Sequence, residues 1–251
     1  MVRNVIISEL EAMEREKGVN LMLAVESGSR CWGFESLDSD YDVRFVYSRP
    51  KDDYLRLESM RDTIEWRLDD DLDVVGWDLC KFLRLLRASN PTAFEWMGSP
   101  VVYYESLGFK EVREVAPKCF DPVAHAHHYI EMASKHDMRY IRNGKCTPKR
   151  YLYAVRSLLA CKWSIEEQKP VPMAFSELSE AMLEPKMAPL VTNLVEIKRN
   201  GLERGACEQI PELDEWILAQ EAALDAKIDT LERPEGLEWS VLDEVFLKMV
   251  G

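Results

Sequence analysis

Apolar residues recur at helical spacing from residue 3 to residue 17, and Gly18 ends the run as a left-handed C′ residue does. The next segment, NLMLAVE at 20–26, is apolar almost without interruption and bounded by turn signals, which predicts a buried strand. A short helical turn follows at Gly28-Ser29. YDVRFVY at 41–47 is rich in aromatic and β-branched residues and predicts a second strand. After the connection SRPKDDY, further strands are expected over 61–68 and 72–77. The period then lengthens. Asp78 suits an N-cap, and Leu79, Phe82, Leu83 and Leu86 form one apolar helical face behind it. Asn90-Pro91 ends that helix and starts another, because proline fits the first turn of a helix and not its interior. Beyond about residue 105 strand-like runs stop. Amphipathic segments take over near 121–142, 148–167, 187–200, 210–230 and 238–249, with a proline-bearing loop at 166–175. The pattern predicts an α+β unit over 1–105 followed by a helical unit over 106–251.

Composition narrows the setting. A chain of 251 residues with 47% hydrophobic residues can bury a real core. No window approaches 18 consecutive apolar residues, so no membrane partner is expected. The N-terminal segment carries acids throughout and reads as an amphipathic helix, not a signal peptide. Six scattered cysteines without a C-x-x-C fit reduced thiols in a cytoplasmic protein. The net charge of −13 disfavours wholesale coating of a polyanion. One stretch runs against that average. Between Met138 and Ser164 there is no acid, but there are Arg139, Arg142, Lys145, Lys149, Arg150, Arg156 and Lys162. Such a stretch is either a solvated helix face or a phosphate-binding wall.

Candidate chemistry gathers in GSRCWGFESLDSDYD, residues 28–42. Strand side chains alternate faces, so Asp40 and Asp42 are expected on one side with Arg44 following, and Val43 and Phe45 on the other. Two neighbouring carboxylates repel unless a cation lies between them, and oxygen-only ligands suit a hard ion such as Mg²⁺. Gly28 permits a tight turn and close approach of a ligand, and Ser29 adds a donor beside exposed amides, which suits phosphate oxygens. The acidic run at 68–78 offers Asp69, Asp70, Asp71, Asp73 and Asp78 as a third carboxylate. Asp73 opens a strand and is preferred. Asp71 shares its parity but falls in the preceding turn, and Asp78 is explained as a cap.

The order Gly-Ser, then Asp-x-Asp, then Asp resembles the nucleotidyltransferase superfamily of DNA polymerase β type. GSRCWGFESLDSDYDVRFVY, with LDVVGWDLCKFLRLLRASNPTAFEWMGSPVVYY after it, is similar to the RNA repair pathway DNA polymerase β family (RlaP). The likeness is tight over about 20–105 and looser through KRYLYAVRSLLACKW at 149–163. It implies a polymerase-β-like domain with a mixed sheet and a helical domain that closes the nucleotide cleft. In this resemblance Asp40 and Asp42 would hold two Mg²⁺ (or Mn²⁺) ions, and Asp73 would bind the catalytic one and help activate the attacking hydroxyl. Gly28 and Ser29 would grip the triphosphate of an NTP such as ATP. Lys149, Arg150, Tyr153 and Arg156 could face the nucleotide, and Arg30 and Arg44 are further candidates, although Arg44 could simply neutralise an aspartate. The implied reaction moves an NMP from an NTP to an acceptor hydroxyl and releases pyrophosphate. The acceptor would be RNA, contacted through the basic patch at 139–162. Transfer to a protein or small molecule, and a non-catalytic nucleotide-binding module, are the alternatives.

Two other features have plainer explanations. His125, His127 and His128, with His136 after them, lack the i, i+4 spacing of a helical zinc site and are expected at a helix start or on the surface. Trp32, Phe34, Trp77, Phe94 and Trp96 are expected in the core, with Trp32 the foremost exception.

Overall fold

The computed structural model describes residues 2–69, 71–201 and 207–251, with Leu68 and Arg139 described in their backbone alone. The chain divides into two units of interleaved sequence. The first comprises Met1–Cys31, Asp40–Phe120 and Glu235–Gly251, and the second comprises Trp32–Ser39 and Asp121–Pro234. This division differs from a single boundary near residue 105.

The first unit is built on a five-stranded sheet. Helix α1 (Val2–Lys17) leads into β1 (Asn20–Glu26), and the short α2 (Gly28–Trp32) follows. Strand β2 (Tyr41–Ser48), the turn-like α3 (Lys51–Tyr54), β3 (Thr63–Leu68) and β4 (Leu72–Asp78) come next. Helices α4 (Leu79–Arg87) and α5 (Pro91–Gly98), strand β5 (Val102–Glu105) and helix α6 (Phe109–Val115) complete the central part. The strand order is β3-β4-β2-β1-β5. β2 and β4 run parallel, whereas β1–β2, β1–β5 and β3–β4 are antiparallel, so the sheet is mixed.

Side-chain parity builds a core on each face. Ala24, Val43, Phe45, Tyr47 and Val74 pack with Ile6, Leu10 and Met13 of α1. Leu23, Val25 and Val46 belong to the other face, with Leu79, Phe82, Leu83 and Leu86 of α4. Phe45 and Gly76 are register partners across β2 and β4, and a Cβ at Gly76 would stand 2.2 Å from the Phe45 ring, so glycine is what lets that ring lie flat. The expected caps are present: Asp78 accepts from the Cys80 N–H at 2.8 Å, and Asn90 from the Thr92 N–H at 3.0 Å. Phe109, Val112 and Val115 of α6 bury in the same cluster as α4, which carries the first unit past residue 105.

The second unit is helical. It contains α7 (Pro122–His136), a π-helical turn at Asp137–Ile141, α8 (Pro148–Glu166), α9 (Phe175–Met182), α10 (Ala188–Asn200) and α11 (Pro211–Ile228). Helix α8 is its axis, burying Tyr151, Leu152, Val155, Leu158 and Leu159 among its neighbours. Helix α12 (Trp239–Val250) returns to the first unit, where Leu242 and Val245 join the α4 cluster. Among the described residues no helix is long and apolar enough to cross a membrane. All six cysteines are free thiols.

Candidate active site

Asp42 and Asp73 are brought together by strand register. Parallel pairing of β2 with β4 makes them Cα partners at the same end of the sheet. Val43 and Phe45 point away into the core, so parity places Asp42 and Arg44 on the opposite face. One guanidinium nitrogen of Arg44, Nη2, donates to Asp42 Oδ1 at 2.8 Å and to Asp73 Oδ2 at 2.8 Å. Its other terminal nitrogen, Nη1, donates to the main-chain carbonyls of Asp73 at 3.0 Å and Val43 at 3.2 Å. Gly28 sits in the left-handed region at φ 63°, and a Cβ there would lie 2.0 Å from Asp42 Oδ2. The turn can therefore close against this carboxylate only with glycine in place.

The neighbouring candidates differ in their exposure and role. Ser29 is buried at 3% exposure, so its hydroxyl is not on open display. Arg30 donates through Nε to the Asp40 carbonyl at 2.9 Å, and its guanidinium lies 3.9 Å over the Tyr41 ring. Strand β2 begins at Tyr41, so Asp40 precedes the region where strand alternation applies, and its main chain is held by Arg30 instead. In the acidic run, Asp69 closes the β3–β4 turn on the Leu72 N–H at 2.8 Å and pairs with Arg67. Asp71 is exposed in that turn. Asp78 caps α4. Asp70 lies outside the described residues. Among the described residues of this run, Asp73 is thus the carboxylate that stands beside Asp42.

Glu26 joins the site without having been expected there. It ends β1 at 2% exposure, accepts the Asp42 N–H at 3.0 Å through Oε1, and accepts the Tyr103 hydroxyl at 2.5 Å through Oε2. Burial pushes its carboxyl above the ordinary value, against the lowering effect of the Tyr103 hydrogen bond. The signal was available: Glu26 is the one charged residue of NLMLAVE, a strand otherwise buried almost throughout.

The second unit holds its own cluster. A cavity of about 660 Å³ is lined by Lys145, Lys149, Arg150, Tyr140, Tyr153 and His136, among others, with no carboxylate among the described residues of its wall. Thr147 caps α8 by accepting the Arg150 N–H at 3.2 Å. Arg150 lies 4.2 Å over the Tyr140 ring, and Lys149 5.7 Å from the centre of Tyr153. Burial, then the nearby charges of Arg150 and Lys149, hold His136 below its usual value. Lys149, Arg150 and Tyr153 therefore come together as helical spacing predicts. Arg156 does not line this cavity. It is 2% exposed, with its guanidinium 4.1 Å over Trp32, which in turn packs edge-on to Tyr153 at 5.0 Å. Arg142 is neutralised by Asp137 and Glu221, and Lys162 donates to the Met182 carbonyl, so part of the basic stretch is engaged within the unit. The side chain of Arg139 lies outside the described residues.

Comparison with known proteins adds the family. The sequence profile of the RNA repair pathway DNA polymerase beta family (RlaP) matches residues 2–248, nearly the whole chain. The chain belongs to this family. The Bacillus subtilis (strain 168) uncharacterized protein YcgL is 38% identical over 247 residues, covering 96% of this chain and 95% of that protein. A solved nucleotidyltransferase-like protein from Exiguobacterium sibiricum 255-15 aligns over 98% of this chain and 89% of its own at 12% identity, but its TM-score of 0.35 leaves it without weight here. Family membership gives the chain a nucleotidyltransferase-type function.

A divalent metal, implied by the family resemblance, fits the donors present. They are carboxylate oxygens, the ligands of hard cations. Asp73 Oδ1 is buried and accepts no hydrogen bond, leaving a negatively charged acceptor for which a cation is the natural partner. Among the described residues no three Asp, Glu, His or Cys side chains are gathered to hold a metal ion. What is preassembled is a pair, Asp42 and Asp73, with Arg44 between them.

The remaining histidines and aromatics fall mostly inside. His125 sits in the first turn of α7, one of the two placements expected, but is fully buried there, and burial lowers its pKa to about 3. Trp77 and Trp96 stack at 4.0 Å in the first unit's core region, as expected of core aromatics.

Proposed function

We propose that this protein is a Mg²⁺-dependent nucleotidyltransferase that moves an NMP from an NTP to a hydroxyl at an RNA end. The observation that carries the reading is the register pairing of Asp42 with Asp73 beside the left-handed Gly28 turn. Two carboxylates at one end of a rigid parallel strand pair are a preorganised anionic site, and their main chains are fixed by the ladder itself. The acceptor oxygen attacks the α-phosphorus. The new O–Pα bond forms as the bond to the β-phosphate oxygen breaks, and pyrophosphate leaves. Asp73 takes the proton of the attacking hydroxyl, and Asp42 and Glu26 keep the site in place. A bound Mg²⁺ supplies charge stabilisation for the phosphoryl oxygens and acidifies the nucleophile.

Lys145, Lys149 and Arg150 offer a second, local anion site in a chain of net charge −13, which suits a phosphate-bearing ligand held at a few points rather than along a long duplex. Six free thiols fit work in a reducing cytoplasm. The test is transfer of label from α-³²P NTPs to RNA, to protein and to small hydroxyl compounds. Label in RNA supports the reading, label only in another acceptor moves the assignment to that acceptor, and no label from any NTP leaves a nucleotide-binding module.

A further inference from the structure

We propose that Arg44 fills one cation position of the Asp42–Asp73 site, so that the site takes a single divalent ion where the family resemblance implies two. The inference rests on the nucleotidyltransferase reading and adds a property of this chain's own residues.

Arg44 does more than neutralise one aspartate. A single nitrogen is shared between the two carboxylates at 2.8 Å each, the place a bridging cation would take. The guanidinium is also fastened to the main chain on both strands, through the Asp73 carbonyl of β4 at 3.0 Å and the Val43 carbonyl of β2 at 3.2 Å. With four acceptors and a side chain 19% exposed, it is a built part of the sheet end and not a surface arginine swinging across it. Its position follows from sequence: Arg44 stands two residues after Asp42, and so on the same face, in a strand whose neighbour presents Asp73 in register.

The charges point the same way. Asp42, Asp73 and Arg44 together carry a net charge of about −1, with Glu26 beside them engaged by the Asp42 amide and the Tyr103 hydroxyl, and this trio attracts one divalent ion but leaves a second facing both that ion and Arg44. The oxygen best placed for the first ion is Asp73 Oδ1, buried and without a hydrogen bond, because Arg44 takes the other oxygen, Oδ2. Glu26, the further carboxylate beside them, already accepts the Asp42 N–H and the Tyr103 hydroxyl, and among the described residues no three such side chains are gathered to hold a metal ion.

The experiment is Mn²⁺ binding followed by electron paramagnetic resonance, with Mn²⁺ alone and with a non-hydrolysable NTP analogue. Two Mn²⁺ ions bridged by shared carboxylates give an exchange-coupled spectrum, whereas a lone ion gives an isolated six-line signal. Wild type is expected to bind one Mn²⁺ per chain with the isolated signal under both conditions. Arg44→Gln removes the competing charge and is expected to bind Mn²⁺ about tenfold more tightly, or to admit a second, coupled ion. Arg44→Lys keeps the charge and is expected to stay within about threefold of wild type, which controls for a folding defect in Arg44→Gln. A coupled two-ion signal in wild type, or weaker or unchanged Mn²⁺ binding by a folded Arg44→Gln, overturns the proposal. Label transfer by wild type is read separately: transfer with two coupled ions sinks the Arg44 inference alone, and no Mn²⁺ binding with no transfer sinks the parent reading as well.

Discussion

Replacing Gly28 with alanine should separate backbone strain from damage to the site. Gly28 has φ 63°, a conformation that costs a residue with a Cβ about 1–2 kcal/mol. The new methyl would also stand 2.0 Å from Asp42 Oδ2 and 2.9 Å from its Cγ, so the carboxylate or the turn must retreat by more than about an ångström to reach ordinary contact. A displacement of that size at a reacting centre costs about a hundredfold in rate. Gly18 supplies the control, because its φ is 61° and nothing lies within 4 Å of its Cβ position. Gly18→Ala should lose only the backbone part, about 1–2 kcal/mol in urea unfolding, with transfer activity intact. Gly28→Ala should lose at least as much stability and, in addition, about a hundredfold in label transfer measured on the folded fraction. Equal activity in the two variants would refute the claim that Gly28 makes room for Asp42.

Three further outcomes follow from the same structure. Gly76→Ala should cost about 1–3 kcal/mol in chemical unfolding through overpacking, because its methyl meets the Phe45 ring at 2.2 Å, and an unchanged midpoint would show that the ring has room to move. Burial, chiefly, raises Glu221 from 4.5 to about 7, so its protonated form is favoured in the folded state and its contribution to stability, full below 4.5, is lost as the pH rises through 7. Glu221→Gln should therefore flatten the fall in melting temperature across that window, and an unaltered pH profile would contradict it. Lys149→Gln and Arg150→Gln should each weaken binding of tripolyphosphate, the probe for a phosphate-bearing ligand, about tenfold, whereas unchanged binding in both would remove the second unit's cavity as an anion site.

Much of this was legible because it is local. NLMLAVE and YDVRFVY carry their strands in their own composition, and Asp78 and Asn90-Pro91 mark helix starts by side-chain chemistry alone. Asp73 could be preferred over Asp71 because parity and position in the turn are sequence properties, and the structure places Asp73, not Asp71, beside Asp42. What escaped depends on distant partners. Strand β5 is four residues long and half exposed, so its pairing with β1 rather than its own pattern makes it a strand. Helix α12 reads like the helices before it, and only its contacts assign it to the first unit. Arg156 has the same helical spacing as Lys149 and Tyr153, yet Trp32, more than a hundred residues away, covers it. Glu26 is the charged residue of its own strand, but the partners that give it a role, the Asp42 amide and Tyr103, come from β2 and β5.

The most direct test of the central claim is α-³²P NMP transfer by wild type beside Asp42→Asn and Asp73→Asn, each checked for folding by circular dichroism. The account predicts transfer by wild type and none by either folded variant, since each loses one of the two register-paired carboxylates. Undiminished transfer by a folded Asp42→Asn or Asp73→Asn would contradict it.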